Sequence, residues 1–261
     1  MDSKNKIPRI IHQTWKDYNV PKHWKSAVES CKSIHRNYKY VHWTDSDMDE
    51  FVQKIYPEFY STYTNYKYHI QRCDAFRYLI LYRYGGIYID MDIVCRKKLD
   101  DLLHYDIVFS KSSNITSCVT NSFMMSIPNH PFMKYTIDHL ALYQNSYSSF
   151  GKHWHVMNST GPMYLKKMVD MYTSKTHEEI PRSYFLSQTE FAGDCNVCSE
   201  KTCSGGTYFA HVKGDSWHEA DSVIYNMLIC NKYSTFIILL LIIIGLILYI
   251  VVVKQNIRSI K

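Results

Sequence analysis

The sequence predicts an α/β sandwich with a mostly parallel central sheet, followed by one C-terminal transmembrane helix. Short apolar strands alternate with amphipathic helices from residue 7 to residue 212, and this alternation is typical of parallel strands joined by crossover helices. The run at residues 235–253 is uncharged and aliphatic, and it is long enough to cross a hydrocarbon core of about 30 Å as a helix.

The predicted strands are short runs of apolar, β-branched and aromatic residues. The first of them has Pro8 near its edge, and the second alternates apolar and polar side chains. In chain order the predicted strands are residues 7–14, 38–43, 87–92, 106–110, 122–127, 184–186 and 208–212.

The predicted helices carry start and stop signals. Thr44 and Asp45 are N-cap candidates, Pro131 lies in a first turn, and Gly85 ends the longest helix. The predicted helices are residues 21–31, 47–55, 68–84, 131–143 and 160–172. With no internal repeat or low-complexity linker, we expect one domain at residues 1–230. A loop then leads to the membrane helix at 235–253, and a short basic tail occupies 254–261.

Two observations on membrane topology conflict. The tail carries Lys254, Arg258 and Lys261, so the positive-inside rule places it in the cytosol and the domain across the membrane. The N-terminal residues contain no secretory apolar segment, which favours late insertion of the membrane helix with the domain left in the cytosol. The side of the membrane therefore stays open.

Charge and cysteine content limit the function classes. The net charge of +6 is dispersed along the chain, which argues against a nucleic-acid partner. Most of the 23 tyrosines are expected in the core, although tyrosine also suits sugar stacking and membrane interfaces. Four cysteines are isolated in the sequence, whereas a later cluster is compatible with a disulfide, free thiols or zinc. The isolated residues are Cys31, Cys73, Cys95 and Cys118, and the cluster is Cys195, Cys198 and Cys203.

The run YGGIYIDMD at residues 84–92 carries the strongest chemical signal. In an extended strand Asp90 and Asp92 face the same side, while Met91 points away. Two such carboxylates repel each other unless a cation lies between them. The pattern predicts a divalent ion and a phosphate-bearing substrate.

The helix before this run adds Asp74 and Arg77, which share a face because they are three residues apart. Phe76 and Leu79 predict that the helix is mostly buried. A buried carboxylate accepts hydrogen bonds from sugar hydroxyls and a guanidinium donates to them, so this pair predicts a site for a hydroxyl-rich ligand.

Residues 73–78 (CDAFRY) and 84–92 (YGGIYIDMD) together resemble the DXD sugar-binding region of family 32 glycosyltransferases. That family includes initiating α-1,6-mannosyltransferases and inositol phosphorylceramide mannosyltransferases, and the pattern is similar to one in the large clostridial glucosylating toxins. Residues 7–15 (IPRIIHQTW) and 43–45 (WTD) also resemble family segments. The strong match covers residues 7–101.

The resemblance implies a GT-A fold that uses Mn²⁺, with Mg²⁺ as the alternative. By this resemblance Asp90 and Asp92 are the catalytic carboxylates. Asp92 would ligate the metal, and Asp90 would contact the ribose or a metal-bound water. Asp74 and Arg77 would hold hydroxyls of the donor sugar. The resemblance places three further donor-binding residues beside the nucleotide base, namely His12, Gln13 and Trp15.

A later segment, residues 211–217 (HVKGDSW), resembles the family's C-terminal stretch with His followed by Ser-Trp. His211 would complete the metal sphere, and Ser216 with Trp217 would close over the diphosphate. The second histidine usual in the family is absent, because Ala210 precedes His211. The run at residues 160–162 is similar to a family turn near the acceptor side.

The expected function is that of a membrane-anchored, metal-dependent, retaining glycosyltransferase. By resemblance it transfers a hexose, with mannose favoured, to a glycan or sphingolipid-type hydroxyl. GDP-mannose is the favoured donor and UDP-sugars are the alternative. A Golgi or other endomembrane location is expected. A non-catalytic nucleotide-sugar-binding membrane protein is the alternative, while Val94 argues against a haloacid-type phosphatase, which needs Thr there.

Overall fold

The computed structural model describes residues 6–111, 119–176, 179–193, 204–212, 214, 216–230, 233, 236–237, 240–247 and 249–250. The chain divides into two compact units, Met1–Trp217 and His218–Lys261.

The first unit is built on two sheets. In chain order its strands are β1 (Ile10–Thr14), β2 (Lys39–Trp43), β3 (Gly86–Ile89), β4 (Ile93–Cys95), β5 (Ile107–Lys111), β6 (Val119–Ser126), β7 (Ser183–Leu186) and β8 (Phe209–His211). Six of them form one sheet in the order β2-β1-β3-β6-β5-β7, and β4 with β8 forms an antiparallel ribbon. In the six-stranded sheet β1 is parallel to β2 and β3, and β5 is parallel to β7. Strand β6 is antiparallel to both of its neighbours. The predicted α/β architecture with a mostly parallel sheet is confirmed.

Eight α-helices lie in the described part of the first unit. They are α1 (Lys25–Ile34), α2 (Asp45–Ile55), α3 (Pro57–Thr64), α4 (His69–Tyr84), α5 (Pro131–Tyr143), α6 (Lys152–Ser159), α7 (Pro162–Thr176) and α8 (Gln188–Phe191). A short 3₁₀ turn at Lys22–Trp24 precedes α1. Thr44 caps α2 through a reciprocal pair with Asp47, so that prediction of a cap is confirmed.

Several elements depart from the sequence pattern. The helices α3, α6 and α8 and the strand β4 are each of eight residues or fewer, which is too short for a clear hydrophobic period. The first strand begins at Ile10 rather than at residue 7, because the Ile10 amide closes a turn onto the Pro8 carbonyl.

The carboxylates Asp90 and Asp92 do not lie in a strand, and this prediction is wrong. Strand β3 ends at Ile89, and the Ile93 amide donates to the Asp90 carbonyl at 3.2 Å, which closes a turn. The strand cannot continue because the chain leaves the six-stranded sheet here to form the separate ribbon. The turn, rather than strand alternation, therefore sets the directions of the two carboxylates.

Alternate residues of the strands supply two apolar clusters, one on each face of the sheet. Tyr88 and Met124 join the larger cluster with α2, α3, α4, α5 and α7, whereas Ile87 and Met125 join the smaller one. Helix α4 is buried along most of its length, including Phe76 and its neighbours, as its apolar residues predict. The polar residues of α4 are therefore held inside the molecule.

A disulfide joins Cys31 on α1 to Cys95 on β4, with a Cα–Cα distance of 4.8 Å. The two cysteines are isolated in the sequence, 64 residues apart, and the fold brings them together by packing α1 against β4. Cys73 is a free thiol. The remaining isolated cysteine and the three-cysteine cluster lie outside the described residues, namely Cys118, Cys195, Cys198 and Cys203.

In the second unit, helix α9 spans Ala220–Cys230, where the sequence pattern predicted a loop. Val223, Ile224 and Met227 are exposed on it. The predicted membrane helix at 235–253 and the tail at 254–261 lie partly or wholly outside the described residues. Within the described residues no helix is both long and apolar enough to cross a membrane.

The disulfide predicts a measurable stabilisation. Replacing both cysteines, as Cys31→Ala with Cys95→Ala, should lower the free energy of unfolding by about 2–4 kcal/mol, because the unfolded chain gains loop entropy. Denaturant titration without reducing agent measures this change. Cys73→Ala is the matched control, since it removes a thiol that bridges nothing. An equal effect of both changes would show that the bond does not stabilise the fold.

Candidate active site

Two glycines form the tight turn that joins helix α4 to strand β3. Gly85 has φ 64° and Gly86 has φ 96°, a region that L side chains rarely occupy. A Cβ on Gly85 would meet Pro128 at 2.7 Å, and one on Gly86 would meet the Ile10 carbonyl oxygen at 2.6 Å. This tight turn places the polar residues of α4 beside the chain that follows β3.

Arg77 lies at the centre of the site. Its Nη1 contacts the Asp74 carboxylate at 3.2 Å and its Nη2 contacts the Asp90 carboxylate at 3.0 Å. Nη1 also donates to the Asn121 carbonyl at 3.1 Å, and the guanidinium lies 4.9 Å from the centre of the Tyr88 ring. Arg77 therefore joins α4, β3 and β6 in a fixed geometry, as the fork-shaped guanidinium allows.

Asp74 is buried and hydrogen-bonded on both oxygens. The Asn121 amide donates to Oδ1 at 2.9 Å and the Thr160 hydroxyl donates to Oδ2 at 3.1 Å. Burial raises the pKa of Asp74 to about 6, although the charge of Arg77 and these two donors oppose the shift. The sequence pattern missed Asn121 because it lies in the middle of β6 and belongs to no local motif.

Asp90 is the more exposed of the two carboxylates that contact Arg77. Its side chain is 24% exposed, whereas that of Asp74 is 5% exposed, so a ligand reaches Asp90 more readily. The Tyr88 hydroxyl donates to Asp90 Oδ1 at 2.8 Å, and Thr14 lies 3.0 Å from that hydroxyl. Burial raises the pKa of Asp90 to about 6, the charge of Arg77 opposes this shift, and the charge of Asp92 adds to it.

In the ribbon, strand β8 pairs with β4 and so lies next to the turn that carries Asp92. The Val212 amide donates to the Asp92 carbonyl at 2.8 Å, and His211 pairs with Ile93, the next residue along. A Cβ on Gly214 would overlap the Asp92 carboxylate, so only a glycine lets the backbone approach so closely. The ribbon thereby places His211 beside the DXD turn, from more than 100 residues away. The role of His211 as a metal ligand stays a prediction.

His12 and Gln13 are buried on β1 and hold the glycine turn and the DXD turn. His12 Nε2 lies 3.0 Å from the Gly85 carbonyl and Nδ1 accepts from the Trp43 indole at 3.1 Å. These partners fix the neutral tautomer with the proton on Nε2. Gln13 donates to the Asp90 carbonyl at 3.3 Å and accepts from the Tyr40 hydroxyl at 2.7 Å. Contact of either residue with a nucleotide base stays a prediction.

Trp15 and Trp217 flank the site on different elements. Trp15 packs against the edge of Trp24 at 4.9 Å, in a cluster that includes Met91 from the DXD turn. Trp217 stacks on His153 of α6 at 5.6 Å, and Ser216 precedes it. His153, which contacts Trp217, lies at the start of α6. Thr160, which donates to Asp74, follows directly after the end of α6. The donor-binding roles of Trp15, Ser216 and Trp217 stay predictions.

The Arg77 network carries one more negative than positive charge. Among the described residues, Asp74 and Asp90 share the guanidinium of Arg77 in a largely buried setting. The described residues contain no group of three or more His, Cys, Asp or Glu side chains that could by themselves hold a metal ion. Mg²⁺-type ions are often held by one or two carboxylates and completed by water and substrate phosphates. This arrangement therefore suits a cation that arrives with a phosphate ligand.

The family described as a glycosyltransferase sugar-binding region containing a DXD motif matches residues 21–109. "Mannosyl phosphorylinositol ceramide synthase SUR1" of Saccharomyces cerevisiae is 38% identical, over 83% of this chain and 53% of its own. "Inositol phosphoceramide mannosyltransferase 2" of Schizosaccharomyces pombe is 35% identical, over 89% of this chain and 64% of its own. "Uncharacterized glycosyltransferase L373" of Acanthamoeba polyphaga mimivirus is 33% identical, over 89% of this chain and 92% of its own.

The solved structure of the UDP-bound glycosyltransferase domain from the YGT toxin shares the fold. Its TM-score is 0.51 at 10% identity, over 70% of this chain and 80% of that domain. The ligand-free form of the same domain gives a TM-score of 0.52 at 9% identity, with the same coverage. The GT-A-type fold expected from the sequence is confirmed.

The fold and the DXD carboxylate turn are thus those of the glycosyltransferase class of proteins that carry a DXD motif. More narrowly, the chain belongs to the family with the DXD sugar-binding region, together with the yeast and mimivirus proteins above. The resemblance inferred from CDAFRY and YGGIYIDMD is confirmed. The chain spans about half to two thirds of the length of the two yeast relatives.

His12 predicts a pH dependence of stability. Burial lowers its pKa from 6.5 to about 4, so below about pH 6.5 the unfolded chain takes up a proton that the folded chain does not. Stability is therefore lost as the pH falls, by about 2–3 kcal/mol at pH 4.5. His12→Gln removes this loss, because glutamine does not titrate. In urea unfolding, the variant should be less stable than the native protein at pH 7, and this difference in the free energy of unfolding should shrink by about 2–3 kcal/mol at pH 4.5. A difference independent of pH would contradict the assignment of a buried neutral His12.

Asn121 predicts a stability effect through Asp74. Asn121→Ala removes the amide donor from a buried carboxylate and should lower the free energy of unfolding by about 1–3 kcal/mol at pH 8. The pKa of Asp74 should rise further, because the lost hydrogen bond favours the charged form. Asn145→Ala, on an exposed loop residue, is the control and should stay within about 0.5 kcal/mol. Equal effects in urea unfolding would remove the role given to Asn121.

Proposed function

We propose that this chain is a metal-dependent, retaining glycosyltransferase that is anchored in a membrane and transfers mannose from a nucleotide sugar. The observation that carries the proposal is the buried network of Arg77 with Asp74 and Asp90, next to the Asp92 turn. Such a network offers hydroxyl acceptors, a fixed donor fork and an excess of negative charge in one place. A sugar bearing a metal-bound diphosphate matches all three features.

The donor proposal is GDP-mannose, with a UDP-sugar as the second candidate. The names of the yeast relatives support mannose as the transferred sugar. The toxin domain shares only the fold with this chain, but it binds UDP. For this reason a UDP-sugar is the alternative donor.

The acceptor proposal is the hydroxyl of a sphingolipid-type headgroup or a glycan. Two relatives are named for inositol phosphoceramide and mannosyl phosphorylinositol ceramide. The aliphatic run at 235–253 supports a membrane anchor, which would keep the catalytic unit beside a lipid acceptor.

The residues around Asp92 fit a divalent ion. Asp92 offers carboxylate oxygens, which suit Mg²⁺ and Mn²⁺, and it lies close enough to Asp90 for its charge to add to the rise in the pKa of that residue. Asp92 and His211 would hold the ion, which is Mn²⁺ or Mg²⁺. When bound, it would supply positive charge to the departing diphosphate.

The side chains have separate tasks in the proposed transfer. Asp74 and Arg77 hold donor hydroxyls, with Asn121 and Thr160 keeping the Asp74 carboxylate in place. Ser216 and Trp217 close over the donor diphosphate and exclude water. Asp74 and Asp90 are both held by the Arg77 guanidinium, which weakens them as nucleophiles. We therefore infer that the acceptor attacks from the face of the leaving group, so that the anomeric configuration is retained.

The proposed location is a Golgi-type endomembrane with the catalytic unit in the lumen. The disulfide between Cys31 and Cys95 supports this side, because such bonds persist in oxidising compartments and are rare in the cytosol. The basic tail supports the same side through the positive-inside rule.

The proposal predicts that the full chain in detergent with Mn²⁺ consumes GDP-mannose in preference to UDP-sugars. Asp92→Asn should lower the turnover about 10²- to 10³-fold. The variant would hold the metal ion less well, and the ion is what would balance the charge that develops on the diphosphate. Asp138→Asn, on a carboxylate paired with Lys134 at the surface of α5, is the matched control and should keep full turnover. Release of GDP and transfer to a lipid-headgroup acceptor are the measurements.

Three outcomes discriminate the possibilities. Full metal-dependent turnover by Asp92→Asn would contradict the role of this carboxylate. Thermal stabilisation by donor and Mn²⁺ without any turnover would support the alternative, a non-catalytic nucleotide-sugar-binding protein. An inverted anomeric centre in the product, read by NMR, would contradict the retaining course.

A further inference from the structure

A basic cavity of about 570 Å³ lies at the junction of α1 and β4, away from the carboxylate site. Three cationic side chains line it together with two polar residues and one apolar one. The lining residues are Ser33, Ile34, Arg36, Asn37, Arg96 and Lys98. None of the described residues that line the cavity is a carboxylate, so this part of the lining is positively charged. The volume lies within the range common for small-molecule sites.

Arg96 is held in place by a turn that only glycine permits. Its Nη1 donates to the carbonyls of Ser204 at 2.7 Å and Gly206 at 3.1 Å. Gly205 between them has φ 78°, and a Cβ there would come within 2.8 Å of Arg96 Nη1. The guanidinium is therefore anchored along one edge while the residue lines the cavity. A preset guanidinium binds phosphate oxygens with little loss of rotamer freedom.

The carboxylates on neighbouring elements are already neutralised. Asp100 pairs with Arg9 at 2.9 Å and Asp101 pairs with Lys97 at 2.6 Å. On α1, Glu29 likewise pairs with Lys32. None of these acids is left to neutralise the cavity.

Arg36 and Lys98 are exposed and form no hydrogen bond or ion pair within the described residues. Two cations that point at a common cavity repel each other, and an anion between them relieves this repulsion. Their charges are thus available to a ligand, in contrast to the paired lysines nearby.

The disulfide makes the cavity a preformed feature. Cys31 precedes the α1 wall and Cys95 precedes Arg96 on the opposite wall, so the bond links the two walls covalently. A cavity with linked walls loses little conformational entropy when it binds. Arg96 is four residues beyond Asp92, or about 13 Å along an extended chain, so the cavity shares no residue with the carboxylate site.

We propose that this basic cavity is a second binding site, for a phosphate-bearing anion. The guanidinium and ammonium groups suit a phosphate monoester, a pyrophosphate or a phosphodiester. A soluble phosphate compound and a phospholipid headgroup share this chemistry. The site does not depend on the proposed transfer reaction, because none of its residues belongs to the donor site.

The test measures anion binding by the full chain in a neutral detergent with EDTA. Without metal the three carboxylates of the donor site repel anions, so calorimetry reports the cavity. The probes are inorganic pyrophosphate and glycerophosphoinositol, a lipid headgroup without its chains. We expect saturable binding of one or both. Tighter binding of pyrophosphate identifies a soluble source, and tighter binding of glycerophosphoinositol identifies a headgroup.

The variant Arg36→Gln with Lys98→Gln should weaken this binding about tenfold or more, since it removes two charge-assisted contacts. Lys54→Gln with Arg83→Gln is the control, with the same residue types exchanged at exposed sites on α2 and α4, and it should bind as the native chain does. Turnover of a soluble donor should be the same in all three proteins. Absence of saturable binding, or equal weakening in both variants, would overturn the proposal. Loss of transferase turnover in the native chain would leave this binding measurement unaffected.

Discussion

The site depends on one buried guanidinium that holds two carboxylates at once. Arg77 contacts Asp74 on its own helix and Asp90 on the turn after β3. Burying these charges separately would cost several kcal/mol for each ion, so the three side chains tolerate burial only as a set. The helix, the glycine turn and strand β6 are all positioned so that this set closes. Anything that moves α4 relative to β3 therefore also moves the carboxylates.

A second layer of neutral groups keeps this network in place. His12 and Gln13 fasten the glycine turn and the Asp90 backbone to β1, and Asn121 and Thr160 complete the Asp74 carboxylate. These partners come from β1, from β6 and from the residue that follows α6. The pKa values of Asp74 and Asp90 are raised to about 6, because burial outweighs the opposing charge of Arg77.

Strand β4 connects the carboxylate turn to the basic cavity. Its N-terminal side carries the Asp92 turn, and its C-terminal side carries Cys95 and Arg96. The disulfide to α1 and the pairing with β8 hold this short strand, although it lies outside the six-stranded sheet. Rigidity at the carboxylate turn and rigidity at the basic cavity thus have a common origin. A strand of three residues would not provide it alone, because it makes too few ladder hydrogen bonds.

The sequence by itself determined the α/β class, most of the longer helices, the buried character of α4 and the carboxylate and guanidinium residues of the site. These follow from local periodicity, from glycine and capping residues, and from charges placed on an apolar helix. Tertiary structure alone decided that Asp90 and Asp92 lie in a turn, that Cys31 meets Cys95, and that Asn121 completes Asp74. Each of these depends on contacts between residues far apart in the chain, and no local pattern encodes which distant elements will pack together.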